Sequence, residues 1–342
     1  QTLGYARSSS DPTDGSDLDD IAEGADVTRL SFAADWRKDW VFGPGLIGAV
    51  LGELRADAYS VSQDNTYAGS PTRVQGSLGG ELRWPWLKST IGGATHVIEP
   101  IAQVIWSSDA RGLIPNEDSR LVEFDEASLF SLNRFPGIDA VETGLRANIG
   151  ISWTRLDAAG WSMGATVGRV LRDGDVPSFS NASGLSTQSS DWMVATQLET
   201  AGGLYLAGRL IIDEHLDPKR SEIHLSYDRD RFGVNSTYIW SIADVTEARP
   251  EDVSEIVLGG NYRLADNWMA RASGRYDFAA DAYSRADFGL TFRNECLEVI
   301  LSLSRRFTTS TNLAPSTTAD VSVDLIGFGG RGKAGPARVC AR

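Results

Sequence analysis

The residues of this chain whose chemistry is easiest to name do not assemble into a reaction centre. The run Gly327-Phe-Gly-Gly-Arg-Gly332-Lys333 follows an apolar stretch and nearly fits a phosphate-binding loop. Ala334 stands where magnesium would need a Ser or Thr hydroxyl, and Gly335-Pro336 forbids the helix whose N-terminus would hold phosphate. The run reads instead as part of a basic tail, residues 329–342. His96, His215 and His224 are scattered without metal-ligand spacing, and Cys296 and Cys340 have none either, so no metal or cofactor site is expected. The two cysteines could pair with each other or with partners outside the chain. The sequence reads as having no nucleophile elbow of the G-x-S-x-G type, and no catalytic residue is assigned. A hydrolase built from Ser, His and Asp on separate strands is left open, because spacing alone does not test it.

The charge balance narrows the partners. With 46 acidic against 32 basic residues the net charge is −14, which argues against nucleic acid, whose phosphates need a basic face. Apolar residues make up 42% of the 342, near the globular average, and no run of 18 apolar residues occurs. A transmembrane helix is therefore excluded, and the start at Gln1 has neither the charged region nor the apolar core of a signal peptide. Gln1 reads as a processing site or a fragment start.

The elements that would position any site come from a different signal. Almost the whole chain alternates apolar with polar residues in stretches of about ten, which sends successive side chains to opposite faces of a strand. In residues 297–307, Leu297, Val299, Leu301 and Leu303 share one face while Glu298, Ser302 and Ser304 take the other. Residues 284–293 and 318–328 repeat the pattern, the last with Val321, Val323 and Leu325 against Ser322 and Asp324. Counted back to residues 2–8, about sixteen such strands are predicted.

Connections alternate between short and long. Residues 201–203, 229–231, 265–267 and 294–295 make tight turns, and the intervening gaps are longer. In outer-membrane barrels the tight turns face the periplasm and the long loops face outward. Residues 1–328 are thus expected to form an antiparallel transmembrane β-barrel, all-β, with Cys296 and the end of the last strand on the periplasmic side. Most of the ten tryptophans fall near strand ends, where an indole can sit half in hydrocarbon with its N–H wet.

One segment breaks the rhythm. Residues 109–142 mix the acids Glu117, Asp118, Glu123, Asp125 and Glu126 with the apolar anchors Leu129, Phe130, Leu132 and Phe135, and carry a turn signal at Pro136-Gly137. A loop of this length without strand periodicity is functional or disordered. Its apolar content predicts an ordered loop folded over or into the barrel.

At this loop the chain resembles the lipopolysaccharide-assembly outer-membrane family LptD, also called OstA. The resemblance rests on His96-Val-Ile-Glu99-Pro100, Glu123-Phe124-Asp125-Glu126, Leu129-Phe130, Asn133-Arg134-Phe135, Gly137-Ile-Asp139 and Glu142-Thr-Gly144, leading into Arg146-Ala-Asn148. A second stretch is Asn294-Glu-Cys296-Leu, with Arg305-Arg306-Phe307 and a final strand closing on Gly327-Phe328.

The resemblance implies a barrel of about 26 strands, the upper part of the usual range. It implies a periplasmic jellyroll domain absent from this chain that meets the periplasmic Lpt bridge, and an LptE-type plug lipoprotein. The implied cargo is lipopolysaccharide, delivered to the outer leaflet of a Gram-negative outer membrane through a lumen and a lateral gate, with no enzymatic step. It nominates Glu123, Asp125, Phe130, Asn133, Arg134, Gly137 and Asp139 as the functional loop. Val321, Val323, Leu325, Gly327 and Phe328 become one side of the gate, and Cys296 the site of an inter-domain disulfide, with Cys340 a candidate for a second. Sixteen strands would then be the C-terminal part of the larger barrel. The alternative is a porin or substrate-specific diffusion channel, which would use the long loop as a constriction.

Overall fold

A computed structural model describes residues 2–8, 26–64, 66–67, 69–109, 114–116, 118–119, 121–176, 178–307 and 314–325. The strands are β1 (Thr2–Ser8), β2 (Asp26–Phe42), β3 (Leu46–Ser62), β4 (Thr72–Arg83), β5 (Trp86–Ser89), β6 (Thr95–Ser107), β7 (Gly144–Leu156), β8 (Ser162–Arg172) and β9 (Trp192–Glu199). They continue as β10 (Leu204–Ile212), β11 (Pro218–Asp228), β12 (Phe232–Ser241), β13 (Val253–Ala265), β14 (Trp268–Asp277), β15 (Ala282–Arg293), β16 (Leu297–Arg306) and β17 (Ser316–Leu325). Both β4 and β5 pair with β6, as one strand interrupted at Pro85, and Trp84 N donates to Pro100 O across the break at 3.2 Å. Among the described residues, seventeen strands therefore make sixteen traverses, each antiparallel to the next, in a single sheet.

Which face turns outward is decided by one triplet on β4. Arg73 is 3% exposed and Gln75 6%, while Val74 between them is 65% exposed. Leu30, Leu78, Val104, Ile151, Leu258, Phe288, Leu301 and Val323 are likewise exposed, and Arg29, Asp57, Glu81, Gln103, Arg146 and Asn148 are buried. A water-soluble sheet does the reverse. Apolar area left in water costs about 25 cal/mol per Å², so a continuous apolar exterior over a polar interior is a lipid-facing surface around a lumen. No described helix is long and apolar enough to cross a membrane, and the strands do the crossing.

Two boundaries differ from the sequence expectation. The apolar alternation predicts a strand over residues 27–36, whereas β2 and β3 stay paired from Asp26↔Ser62 to Phe42↔Leu46. Arg37, Lys38 and Asp39 interrupt the apolar alternation, but Lys38↔Val50 and Trp40↔Gly48 keep the ladder in register. Seventeen residues exceed the ~9–11 that a membrane strand needs, so this hairpin projects past the short-turn rim. The four-residue β5 is the second, hidden from periodicity by its length.

Between β6 and β7 the chain turns into the lumen. Val122, Phe124, Leu129 and Phe135 of that connection form a core with Val170, Met193, Ala195 and Ile211 of the wall and with Phe179 and Leu185 of the β8–β9 loop. Leu129, fully buried, fits a notch in the wall where Gly168 and Gly150 lack side chains. A Cβ on Gly168 would lie 2.4 Å from Leu129 Cδ2 and one on Gly150 3.1 Å from it. Over β12–β17 the inner face is instead an open polar groove, with a cavity of about 630 Å³ bordered by Arg271, Arg285, Asp287, Ser302 and Asp320.

Placing charge on the outer band tests this orientation. Leu258→Arg, at the middle of β13, is expected to destabilise the folded protein in lipid by about 2–4 kcal/mol in urea unfolding titrations. Asn235→Ser on the lumenal face of the paired strand β12 is expected to change little. Equal losses for the two variants would place the apolar face inward.

Candidate functional site

Among the described residues the inward loop has no sheet partners for its backbone, so its carbonyls need donors from elsewhere. Arginine supplies them. Arg73 Nη1 and Nη2 donate to the carbonyls of Asp139 and Ile138, each at 2.5 Å. Arg134 Nη2 donates to Leu129 O at 2.6 Å and Arg146 donates to Leu132 O, while Arg172 Nη1 does the same for the neighbouring β8–β9 loop, donating to Leu185 O at 3.2 Å. A guanidinium carries five donors in a rigid fork, enough to hold a carbonyl and a carboxylate at once.

The shared carboxylate is Glu142, at the end of the loop. Both its oxygens accept from Arg134 Nη1, at 2.9 and 3.0 Å, and Oε1 accepts from the Arg134 backbone N at 2.9 Å. Arg172 Nη2 reaches Oε2 at 3.2 Å and Arg146 Nε lies 3.8 Å from it. Burial opposes the charge on Glu142, but Arg134, Arg146 and Arg172 together hold its pKa below the usual glutamate value. The network continues into the wall. Arg134 Nη2 donates to Asn148 Oδ1 at 2.7 Å, Asn148 Nδ2 to Gln103 Oε1 at 2.6 Å, and Gln103 Nε2 to Glu81 Oε2 at 3.0 Å. Glu81 in turn accepts from Arg37 and Arg83.

A second anchor joins the loop to β2 and β3. Asp139 Oδ1 accepts from Arg29 Nη1 at 2.5 Å and from the Tyr59 hydroxyl at 3.0 Å, and Oδ2 accepts from Asp118 N at 3.2 Å. Asp118 returns the contact: Oδ1 accepts from the Ile138 and Asp139 backbone N–H groups, both at 3.0 Å, and Oδ2 from Arg29 at 2.9 Å. Burial raises the cost of charging Asp118, yet these donors hold its pKa below the usual aspartate value. Only glycine fits at position 137, where a Cβ would stand 2.0 Å from Asp118 Oδ1.

The nominated loop residues thus divide. Asn133 accepts from Glu142 N at 3.1 Å and donates to Ala140 O at 3.3 Å, and with Arg134, Gly137 and Asp139 it builds the buried half. Phe130 packs against the core beside Gly150. Glu123 and Asp125 lie on the outer half, 3.9 Å from Arg220 and 3.8 Å from Arg209. The side chains that complete the site, Glu142, Asp118, Arg29, Arg73, Arg146 and Arg172, were not nominated. The available signal was an arginine at a lumenal strand position, as in Arg73-Val74-Gln75.

The remaining candidates stay apart. His96 stacks on Trp153 with ring centroids 6.0 Å apart, His224 Nδ1 lies 2.9 Å from Thr237 Oγ1 in the lumen, and no metal-ligating group forms among the described residues. Gly160-Trp161-Ser162-Met163-Gly164 does carry the bare G-x-S-x-G spacing, contrary to the sequence reading. Ser162 opens β8 after a tight turn from β7, a strand-turn-strand setting, whereas a nucleophile elbow needs a helix after the serine. Val321, Val323 and Leu325 are 58–70% exposed on β17, whose inner neighbour is β16 with Val321↔Leu301 and Leu325↔Leu297. No strand pairs with the other edge of β17 among the described residues. Cys296, in the β15–β16 turn beside the end of β17, is disulfide-bonded. Gly327, Phe328, Cys340 and the tail 329–342 lie outside the described residues.

An antiparallel sheet of sixteen traverses with an apolar exterior, a polar lumen and tight turns at one rim defines an outer-membrane β-barrel protein. The family model LptD: LPS transport system D matches residues 4–268, which include the whole loop and its anchors. The chain belongs to that family. No curated protein matches it. Among solved structures it is similar to a triple mutant of the Rh. blastica porin, at a TM-score of 0.34 and 15% identity over 94% of this chain and 98% of that one. Another, titled "Asymmetric conductivity of engineered proteins", has a TM-score of 0.32, 14% identity and the same coverage. At such TM-scores these likenesses bear on neither mechanism nor substrate.

Removing the shared carboxylate leaves Arg134, Arg146 and Arg172 buried without countercharge, so Glu142→Gln is expected to weaken seating of the loop by about 3–5 kcal/mol. Proteolytic cleavage within residues 121–142, absent in the parent, is the measurement. Acid should act the same way. The folded pKa values of Glu142 and Asp118 lie below the unfolded values of about 4.3 and 3.9, so their contribution is full above roughly pH 5. It is lost as pH falls through the folded values. Hydrogen exchange in residues 133–142, normalised to the unstructured rate, should rise between pH 5 and pH 2 and stay flat between pH 6 and pH 8.

Proposed function

We propose that this chain carries lipopolysaccharide through the outer membrane of a Gram-negative cell, its polar lumen taking the sugars while the acyl chains leave sideways into the outer leaflet. Membership of the LPS transport family supports the cargo. The observation that carries the mechanism is the loop seated on Glu142 inside the lumen. A loop held by buried ion pairs closes one side of the lumen at its outer end, and the polar groove over β12–β17 is left for the headgroup.

The lipid must leave through a weak seam, and β17 is the candidate for one of its sides. Val321, Val323 and Leu325 lie on a strand with one edge unpaired among the described residues, and such an edge invites reversible pairing. The larger barrel of about 26 strands, the LptE-type plug, and a jellyroll domain that docks the periplasmic Lpt bridge belong to this proposal. Energy arrives from that bridge, so no catalytic residue is required.

Locking the seam tests it. In the native-length protein, a disulfide between β17 and the strand that closes the barrel is expected to abolish delivery, read as loss of lipopolysaccharide at the cell surface after depletion of the parent copy. Reduction should restore it. Unchanged surface lipopolysaccharide in the oxidised cells would overturn the gate, and ion conductance from the unlocked protein in planar bilayers would favour a diffusion channel.

A further inference from the structure

The arginines that meet the loop fall into two groups with different physics. Those on Glu142 and Asp139 are buried, with Arg134 0% and Glu142 2% exposed at the side chain. Arg209 on β10 and Arg220 on β11 are 28% and 30% exposed, and their partners on the loop, Glu126 and Glu123, are 47% and 67% exposed. Arg209 meets Glu126 through a fork, Nε to Oε2 at 3.1 Å and Nη2 to Oε1 at 3.2 Å. Its Nη1 is taken by Glu222 at 3.3 Å. Arg209 pairs across the ladder with Glu222, two residues from Arg220, so both arginines present to the same lumenal face.

A cavity of about 300 Å³ opens beside Arg209, lined by Glu126, Arg209, Glu222, His224, Gln197 and Tyr205, and Arg220 borders a small adjoining hollow with Glu123, Arg209 and Glu222. It admits a phosphorylated sugar to the side of the fork. A phosphate takes the same two-point contact with a guanidinium as the carboxylate of Glu126 does, with more charge and more acceptor oxygens.

We propose that Arg209 and Arg220 form an anion-binding subsite for phosphate monoesters, occupied in this structure by the loop's own Glu123, Asp125 and Glu126, and that a phosphate-bearing glycolipid headgroup binds by displacing them. The assignment of the headgroup rests on the transport reading above. The exposed half of the loop is the half that yields. Its ion pairs are half in water and screened, whereas the Glu142 and Asp139 anchors are not. Displacement frees the turn in which Ser128 N donates to Asp125 Oδ1 at 2.6 Å and Leu129 N to Asp125 O at 2.9 Å, and leaves residues 133–142 seated.

Hydrogen exchange on the full chain in detergent tests this. Inorganic phosphate, against chloride at matched ionic strength, should speed exchange in residues 125–131 by about three- to tenfold, the range set by two screened ion pairs, with no change in 133–142. The double variant Asp125→Asn, Glu126→Gln should bind inorganic phosphate several-fold tighter, since its internal competitor is gone. Arg209→Gln should abolish the phosphate response. Purified lipopolysaccharide should reproduce the effect and the same material stripped of its phosphates should not. Equal exchange in phosphate and chloride, or unchanged phosphate affinity in the double variant, overturns the subsite. A response to dephosphorylated lipopolysaccharide equal to the intact one overturns the headgroup assignment. Inorganic phosphate probes the arginines without any lipid, so the subsite stands or falls separately from the transport reading that the seam lock tests.

Discussion

The loop's place in the lumen depends on one carboxylate. Glu142 faces Arg134, Arg146 and Arg172, and each of those arginines also holds a carbonyl that has no sheet partner. An apolar plug could fill the same volume, but it would leave the loop's backbone acceptors unpaired in a water-poor space, at about 1–3 kcal/mol each. Arginine solves both problems, provided a countercharge keeps three cations from repelling one another. A buried ion network is weak evidence for stability on its own. Its value here is register: Arg73 and Arg146 of the wall, with Arg134 of the loop itself, accept only the loop conformation that brings the Leu129, Leu132, Ile138 and Asp139 carbonyls to the right forks.

That arrangement divides the lumen. Over β3–β10 the wall contributes Asp57, Arg73, Glu81, Gln103, Arg146, Asn148, Met193 and Ile211 to a packed interior, all of them buried. Over β12–β17 the same register positions carry Asn235, Arg271, Asp287 and Ser302, which border open space. The exterior is uniform across both halves, because lipid imposes the same demand on every strand. Differences between strands are therefore written only on the inner face, where the alternation that identifies the fold is silent about chemistry.

This is also why the fold was legible in the sequence and much of the site was not. Period-two alternation and the rhythm of turns are local signals, and sixteen traverses with short turns at one rim follow from them. Local signals fail where the ladder continues through charged residues, as at Arg37-Lys38-Asp39 in β2, or where a strand is as short as β5. The loop could be picked out by composition, and Arg134 and Asp139 by family resemblance. The distant partner of Asp139 on the wall could not: Arg29 and Asp139 are 110 residues apart and Arg29 and Asp118 are 89. Nothing in the neighbourhood of Arg29 marks it as a loop anchor, since an inward arginine on a barrel strand is equally at home facing water.

The two halves of the loop answer to different free energies, and that difference sets what the loop can do. A contact such as Arg134–Glu142, dry and bidentate, changes only if the whole inner half unseats, which needs protonation or a cation left bare. A contact such as Arg209–Glu126 exchanges with any anion that reaches it, because water already solvates both partners in part. A loop that was buried throughout would be a fixed wall, and one exposed throughout would hold no shape. Joined at Leu129 in its glycine notch, the two halves give a rigid seat and a responsive edge, and the edge is the part that faces the cavity lined by Glu126, Arg209 and Glu222.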